Sequence, residues 1–326
     1  MRDSLQTDSR RVILLSEEGR LPNQPALEAL SKRYNRDVLY FDAERVPEKI
    51  DLDRVEVFVP PLPHRFGPST RAVLRSTPSL HVVQLLSAGV DHVHGLIREG
   101  VVLCTAAGVR DGGVAELALG LILMQQRDLS WHARRTGEGA WERDHLSPGL
   151  HGRRLLLVGY GGIGQRFERA IAGFDVECAV VARTARPAVH GGLPVHGIGE
   201  LDELLPEADI VVLMLPLTPD TVGLFDAKML SLMKTGSLLV NVARGAIVDT
   251  DALTAETESG RLRAALDVID PEPLPPEHRL RHTPGVIITP HVSGNTAYGR
   301  RLEGMLVESQ LRRLFTSRAL ANMVTV

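Results

Sequence analysis

Three polar positions in the second half of the chain stand directly after apolar runs. Arg244 closes "LLVNVAR", Asp267 closes "AALD" with Glu272 following in "VIDPEPLP", and His291 follows "GVIITP". A guanidinium fork grips a carboxylate with two parallel hydrogen bonds, and it polarises a carbonyl lying beside that carboxylate. An imidazole passes protons near neutral pH, and a carboxylate behind it fixes the ring and keeps it a proton donor. The set therefore fits proton and hydride chemistry on a small 2-keto or 2-hydroxy acid. Arg244 would hold the acid, His291 would exchange a proton with the 2-oxygen, and Glu272 would orient the imidazole. Singly, each has a plainer reading as a loop histidine, a surface arginine or a solvated glutamate. At three successive strand ends, where open α/β sheets keep their ligands, they read together as a site.

Upstream, "RRLLLVGYGGIGQ" places Gly159, Gly161, Gly162, Ile163 and Gly164 between an apolar strand and a helical stretch. Glycines in the G-x-G-x-x-G pattern serve a tight turn, close backbone approach to a pyrophosphate and close helix–strand packing. The phosphates would meet free N–H groups at the helix N-terminus. About twenty residues further on, an acid would pair with the adenosine ribose of NAD. Here "VVARTARP" offers Arg183, Thr184 and Arg186 and no acid. Guanidinium groups suit a 2′-phosphate, so NADP(H) is the expected cofactor, with NAD(H) the alternative.

These residues need strands to carry them. Runs 11–15, 37–41, 55–59, 81–86 and 101–104 read as strands in a first series. Runs 154–158, 177–182, 209–214, 237–242, 263–268 and 285–289 form a second. Helical stretches lie between most of them, which indicates parallel sheets. "DGGVAELALGLILMQQRDL" is long enough for a buried helix, "RRTGEGAWERDHLSPGLHGRR" reads as looser chain, and a last amphipathic helix spans roughly 296–315. At 326 residues and 44% apolar content, two domains can each bury a core. A net charge of −3 gives no reason to expect nucleic acid or an acidic membrane as partner. No apolar run reaches membrane-spanning length and the polar N-terminus is unlike a secretory signal, so the expected compartment is cytoplasmic. Cys104 and Cys178 lie in apolar contexts and read as free thiols, and no metal site is expected.

The chain resembles the D-isomer-specific 2-hydroxyacid dehydrogenase family over nearly its whole length. The resemblance is carried by "SAGVDHV", "GVRDGGVAELAL", "LLLVGYGGIGQ", "LPLTPDTVGLF", "LVNVARGAIVDTDAL", "GRLRAALDVIDPEPLP" and "ITPHVSGNT". It implies two Rossmann-like domains with a cleft between them. The cofactor domain (104–291) is then inserted into a flavodoxin-like substrate domain (1–103 and 292–326). It implies that Arg244, Glu272 and His291 are catalytic and that Asp267, Val242 and Ala243 lie at the nicotinamide end. Pro216 and Thr221 would pass the adenosine, and Ala88, Gly89 and Val90 would offer N–H groups to the substrate carboxylate. A homodimer is the usual assembly, with the 114–124 helix and the loop containing Trp141 at its interface.

The expected activity is reduction of a small 2-keto acid in the class of glyoxylate or hydroxypyruvate. The alternatives are a nucleotide-sensing binding protein of the corepressor kind, or a dehydrogenase of phosphoglycerate, formate or phosphite. Three positions depart from the family's habit: Arg183 for the acid, Thr105 for an Asn, and Arg281 where a Trp is common. If Arg281 reaches the cleft, a dianionic substrate becomes plausible.

Overall fold

The structure is a computed structural model that describes residues 10–16, 21–42, 52–188 and 193–325. Residues 1–9, including most of the polar N-terminal segment, lie outside the described residues. By its internal contacts the chain divides into two units, Met1–Arg110 with Thr296–Val326, and Asp111–Asn295.

The first unit holds strands β1 (Arg11–Ser16), β2 (Arg36–Phe41), β3 (Val55–Val59), β4 (Val82–Gln84), β5 (Val102–Cys104) and β13 (Met323–Val324). Their order is β2-β1-β3-β4-β5-β13, the flavodoxin-like arrangement with an added edge. All pairs are parallel except β13 on β5. β1 is apolar at every position after Arg11 up to Ser16 because both its faces are covered. Val12 and Leu14 enter one core with Val73 and Leu74 of α2 (Pro68–Ser76). Ile13 and Leu15 enter the other with Leu27 and Leu30 of α1 (Gln24–Arg33) and Val307 and Leu311 of α9 (Ala297–Phe315). The last helix starts where its sequence signal stands: Thr296 caps it, its side chain accepting from Gly299 N. β4 is shorter than the 81–86 run suggests: Leu85 N still donates to Cys104 O at 2.8 Å, and the chain then turns into the next loop.

The second unit carries α3 (Asp111–Gln126), α4 (Leu129–Gly137), β6 (Arg154–Val158), α5 (Gly162–Ile171), β7 (Glu177–Ala182) and β8 (Val195–Gly197). It continues with α6 (Leu201–Leu204), β9 (Ile210–Leu213), α7 (Ala227–Leu232), β10 (Leu238–Asn241), α8 (Thr250–Glu258), β11 (Arg263–Leu266) and β12 (Val286–Ile288). The sheet is parallel throughout, in the order β8-β7-β6-β9-β10-β11-β12. This is the doubly wound Rossmann order, whose direction reverses between β6 and β9. Alternation again accounts for the all-apolar strands. Leu155 and Leu157 of β6 face one core with Ile210 and Val212 of β9, and Leu156, Val158, Val211 and Leu213 face the other. Each such buried leucine contributes about 1.5–3 kcal/mol.

The long helix expected over 111–129 ends at Gln126. Asp128 adopts a left-handed conformation (φ 47°) and a second helix, α4, runs into the stretch that reads as loose chain. The sequence cue was hidden by the continuous run of helix-forming residues on both sides of the break.

Candidate active site

The glycine turn follows β6, at the reversal point of the second sheet. Gly159 has φ +104°, and a Cβ there would lie 2.5 Å from the Met214 carbonyl carbon and 2.6 Å from Leu215 N. The turn leaving β6 thus presses on the backbone leaving β9, which only glycine permits. At Gly164 a Cβ would stand 2.5 Å from Gly159 O, so α5 packs on its own turn. Gly161 differs: nothing lies within 4 Å of a Cβ built there. The first and third glycines are needed by the protein itself, whereas the second leaves open room where a pyrophosphate would approach. Gly162 and half-buried Ile163 open α5, whose first N–H groups have no intrahelical acceptor. The turn fits a dinucleotide.

At the end of β7 the two arginines part company. Arg183 and Thr184 are exposed, and Arg183 makes no hydrogen bond or ion pair among the described residues. Arg186 donates from Nη2 to Tyr160 O at 3.1 Å and its guanidinium lies over the Tyr160 ring, 5.4 Å from the centroid. After β9, Thr221 Oγ1 donates to Pro216 O (2.8 Å) and accepts from Thr218 N (2.8 Å). Thr221 therefore ties residues 216–221 into a closed turn at the same sheet end.

The acid–base residues follow the next three strands. After β10, buried Asn241 donates to Arg244 O (2.9 Å) and accepts from Ala243 N (3.0 Å), bracketing the turn through Val242 and Ala243. Arg244 Nη1 donates to Ala243 O at 2.8 Å. Gly245 is fixed by packing: a Cβ there would stand 2.1 Å from the Ile269 carbonyl carbon and 2.6 Å from Asp270 N. The arginine turn is thus pressed against the start of the loop that carries Glu272. After β12, His291 has φ +53°, a conformation a side chain seldom takes. Its Nδ1 meets Glu272 Oε1 at 2.8 Å, with both side chains 40% exposed. An ionised carboxylate only accepts, so Nδ1 carries the proton of that bond and Nε2 is left for chemistry.

Asp267, after β11, is 1% exposed. Its Oδ1 accepts from Thr289 Oγ1 (2.7 Å) and Val292 N (2.9 Å), its Oδ2 from Ser293 N (3.0 Å), and its carbonyl from His291 N (2.8 Å). Its carboxylate builds the histidine turn. Asn241, Gly245 and the turn-building role of Asp267 escape a reading of the sequence. The only cue is a small or polar residue at the end of an apolar run.

In the first unit, the loop after β4 contains Ala88, Gly89 and Val90. Among the described residues none of their N–H groups has a partner, and Ser87 Oγ holds the loop by donating to Gly89 O at 3.0 Å. Three unpartnered N–H groups in succession are the donors that an anion would need. Thr105 sits in the packing of that unit: its N–H donates to Asn322 O at 3.0 Å. Arg281, in the second unit, donates from Nε to Pro275 O (2.9 Å) and Leu274 O (3.2 Å), so it braces the Pro-rich loop.

A nucleotide turn after β6, at the reversal point, and a histidine–carboxylate pair after β11 and β12, three and four strands along, are the construction of a dinucleotide-dependent dehydrogenase. The sequence profile of the D-isomer specific 2-hydroxyacid dehydrogenase NAD binding domain matches residues 119–293. A glyoxylate reductase of Thermofilum pendens is 33% identical over 237 residues, 70% of each chain. A hydroxypyruvate reductase of Thermotoga maritima is 32% identical over 295 residues, 88% of this chain and 95% of that one. The crystal structure of a D-isomer specific 2-hydroxyacid dehydrogenase from Xanthobacter autotrophicus Py2, in complex with NADPH and MES, superposes with a TM-score of 0.75. It is 28% identical, over 96% of this chain and 98% of that one. The chain belongs to the D-isomer specific 2-hydroxyacid dehydrogenase family, whose members are NAD(P)-dependent enzymes.

Proposed function

We propose that the chain is an NADP(H)-preferring reductase of small 2-keto acids of the glyoxylate and hydroxypyruvate kind. The observation that carries the reaction is the His291–Glu272 pair at 2.8 Å, with Nε2 as the proton-exchanging atom. When bound, a nicotinamide cofactor supplies the hydride for C2 of the acid. His291 delivers the proton to the 2-oxygen, and Glu272 stabilises the charged ring before that transfer. Arg244 binds the substrate carboxylate and polarises the neighbouring carbonyl, and in the first unit the N–H groups of Ala88, Gly89 and Val90 serve as carboxylate donors. Gly159, Gly161, Gly162, Ile163 and Gly164 hold the pyrophosphate, Pro216 and Thr221 border the adenosine, and Val242, Ala243 and Asp267 border the nicotinamide.

The NADP(H) preference rests on Arg183, exposed and without a partner among the described residues, with Thr184 and Arg186 beside it. The substrate size rests on the names of the relatives and on the cations already engaged. Arg281 braces its own loop, and Arg110 pairs with Glu303, a carboxylate with no exposure. Neither is available for a second negative charge. Arg65, exposed in the first unit, is the residue to vary if a dianion turns over.

The enzyme works as a cytoplasmic homodimer in this reading. Trp141 (78% exposed) and Leu146 (92%) lie in the segment after α4, where the family resemblance puts the subunit contact. Among the described residues no helix is long and apolar enough to cross a membrane. Light scattering on the purified chain tests the assembly.

The test of the activity is oxidation of NADPH and NADH, side by side, with glyoxylate, hydroxypyruvate, pyruvate and a bulkier 2-keto acid. Fast turnover with NADPH and the two smallest acids is expected. Turnover with NADH alone would overturn the cofactor assignment. Tight cofactor binding with no turnover of any acid would make the chain a nucleotide-binding protein instead.

A further inference from the structure

Tyr160 occupies the variable position between the first two glycines of the nucleotide turn, where neither turn geometry nor phosphate contact calls for an aromatic ring. The side chain is half-buried, and its hydroxyl donates to Glu168 on α5, two turns further along. Burial first, and the Glu168 carboxylate second, push the phenol up to about 12, so it keeps its proton and remains the donor. The ring is held from below in this way, and its carbonyl and upper face are given to Arg186. The guanidinium lies over the ring at 5.4 Å from the centroid, and Nη2 donates to Tyr160 O at 3.1 Å. Arg186 is exposed and would otherwise sample many rotamers.

We propose that Tyr160 is a positioning residue for cofactor choice, a platform that holds the Arg186 guanidinium ready for the 2′-phosphate of NADP(H). The proposal rests on the reading of Arg183 and Arg186 as the 2′-phosphate ligands. Arg183, free to move, follows the phosphate; Arg186 is ordered in advance by cation–π attraction and a backbone acceptor, so less freedom is lost on binding. Glu168 accepts the phenol's hydrogen bond rather than pairing with Arg186, which leaves the guanidinium's charge for the ligand.

The adenosine end is tested without turnover, by calorimetric titration with adenosine 2′,5′-bisphosphate and, separately, 5′-AMP. Tyr160→Leu removes the platform and should weaken the bisphosphate about tenfold while 5′-AMP changes by no more than about twofold. Tyr160→Phe keeps a ring under Arg186 and should cost only about threefold. Because the platform acts through Arg186, the Tyr160→Leu/Arg186→Ala double variant should bind the bisphosphate no more weakly than Arg186→Ala alone. The same split should appear in the KM values for NADPH and NADH. Equal weakening of both nucleotides by Tyr160→Leu overturns the proposal, since a residue that merely shapes the glycine turn would affect both alike. Additive losses in the double variant overturn it as well. A wild-type chain that binds the two nucleotides with equal affinity overturns the 2′-phosphate reading and the platform with it. A wild-type preference that survives Tyr160→Leu intact overturns the platform alone.

Discussion

Replacing Asp267 by Asn changes one atom and should separate the two jobs the residue could have. The aspartate carboxylate accepts from Thr289 Oγ1 and Val292 N on one oxygen and from Ser293 N on the other. An amide has one acceptor. With its oxygen turned toward Thr289 and Val292, its NH2 faces the Ser293 N–H, donor against donor, at a site 1% exposed. One bond to a charged acceptor, worth about 1.5–3 kcal/mol, is lost, and a buried donor is stranded at a further cost of about 1–3 kcal/mol. Local relaxation recovers part of this, so a loss of about 2–4 kcal/mol in unfolding free energy is expected from urea titration. The turn that loosens is the one holding His291 at φ +53°, a conformation that itself costs on the order of 1–3 kcal/mol and persists only while its surroundings enforce it. If about 2 kcal/mol of that enforcement goes, the competent arrangement falls roughly thirtyfold and kcat at saturating cofactor and acid falls with it. Nucleotide affinity, read by fluorescence titration, should change little. Unchanged stability and turnover would refute the role given to the carboxylate. A large loss of NADPH affinity at unchanged stability would refute it differently, making Asp267 a direct nicotinamide contact.

The other expectations are shorter. His291→Ala should lower kcat by about 10²–10⁴-fold with cofactor binding intact, and an unaltered kcat removes the imidazole from the reaction. Arg244→Ala should cost about 100-fold in kcat/KM for the keto acid, most of it in KM; a pure kcat effect would mean the guanidinium does not bind the ground-state carboxylate. Arg183→Asp should move the ratio of kcat/KM for NADPH over NADH by about 100-fold toward NADH, and no movement would make Arg183 an ordinary surface charge. Arg110→Ala removes one of the two cations on Glu303, a carboxylate with no exposure, and leaves it Arg300 at 3.0 Å. Denaturation should show a loss of about 2–3 kcal/mol, and a loss near zero would mean that Arg300 alone satisfies the buried carboxylate.

Strands that carry an apolar run were readable from the residues alone, even three-residue ones such as β5 and β12, and those without such a run were not. Positions 155–158 of β6, all of β9 and positions 238–240 of β10 are apolar because both faces are covered, and that pattern survives in one sequence. β8, three residues with a histidine at its centre, pairs with β7 at the sheet edge and has no pattern to show. β13 is two residues long and antiparallel. It exists because Thr105 N donates to Asn322 O and Asn322 Nδ2 donates to Ala107 O at 3.0 Å, contacts more than 200 positions apart in the chain. The break at Asp128 is a single left-handed residue between two good helix formers. The functional positions divide the same way. Residues acting through their own functional group, such as Arg244, Glu272 and His291, announce themselves by type and place. Those acting through backbone packing do not, since "NVARG" and "AALDV" say nothing of what lies opposite Gly245 or Asp267.

That division has a topological cause. β11 lies between β10 and β12, so the chain leaving it is the one segment adjacent to the turns that follow both neighbours. Along six residues it touches each of them in succession. Asp267 takes the N–H groups of the histidine turn after β12, and Ile269 and Asp270 receive Gly245 of the arginine turn after β10. Glu272 then returns to the imidazole itself. Arg244 and His291 therefore need no direct contact to be held in register, because each is fixed against the same short segment. A substitution anywhere in 267–272 that shifts this backbone should disturb both side chains together, whereas a change in either neighbouring turn should disturb one.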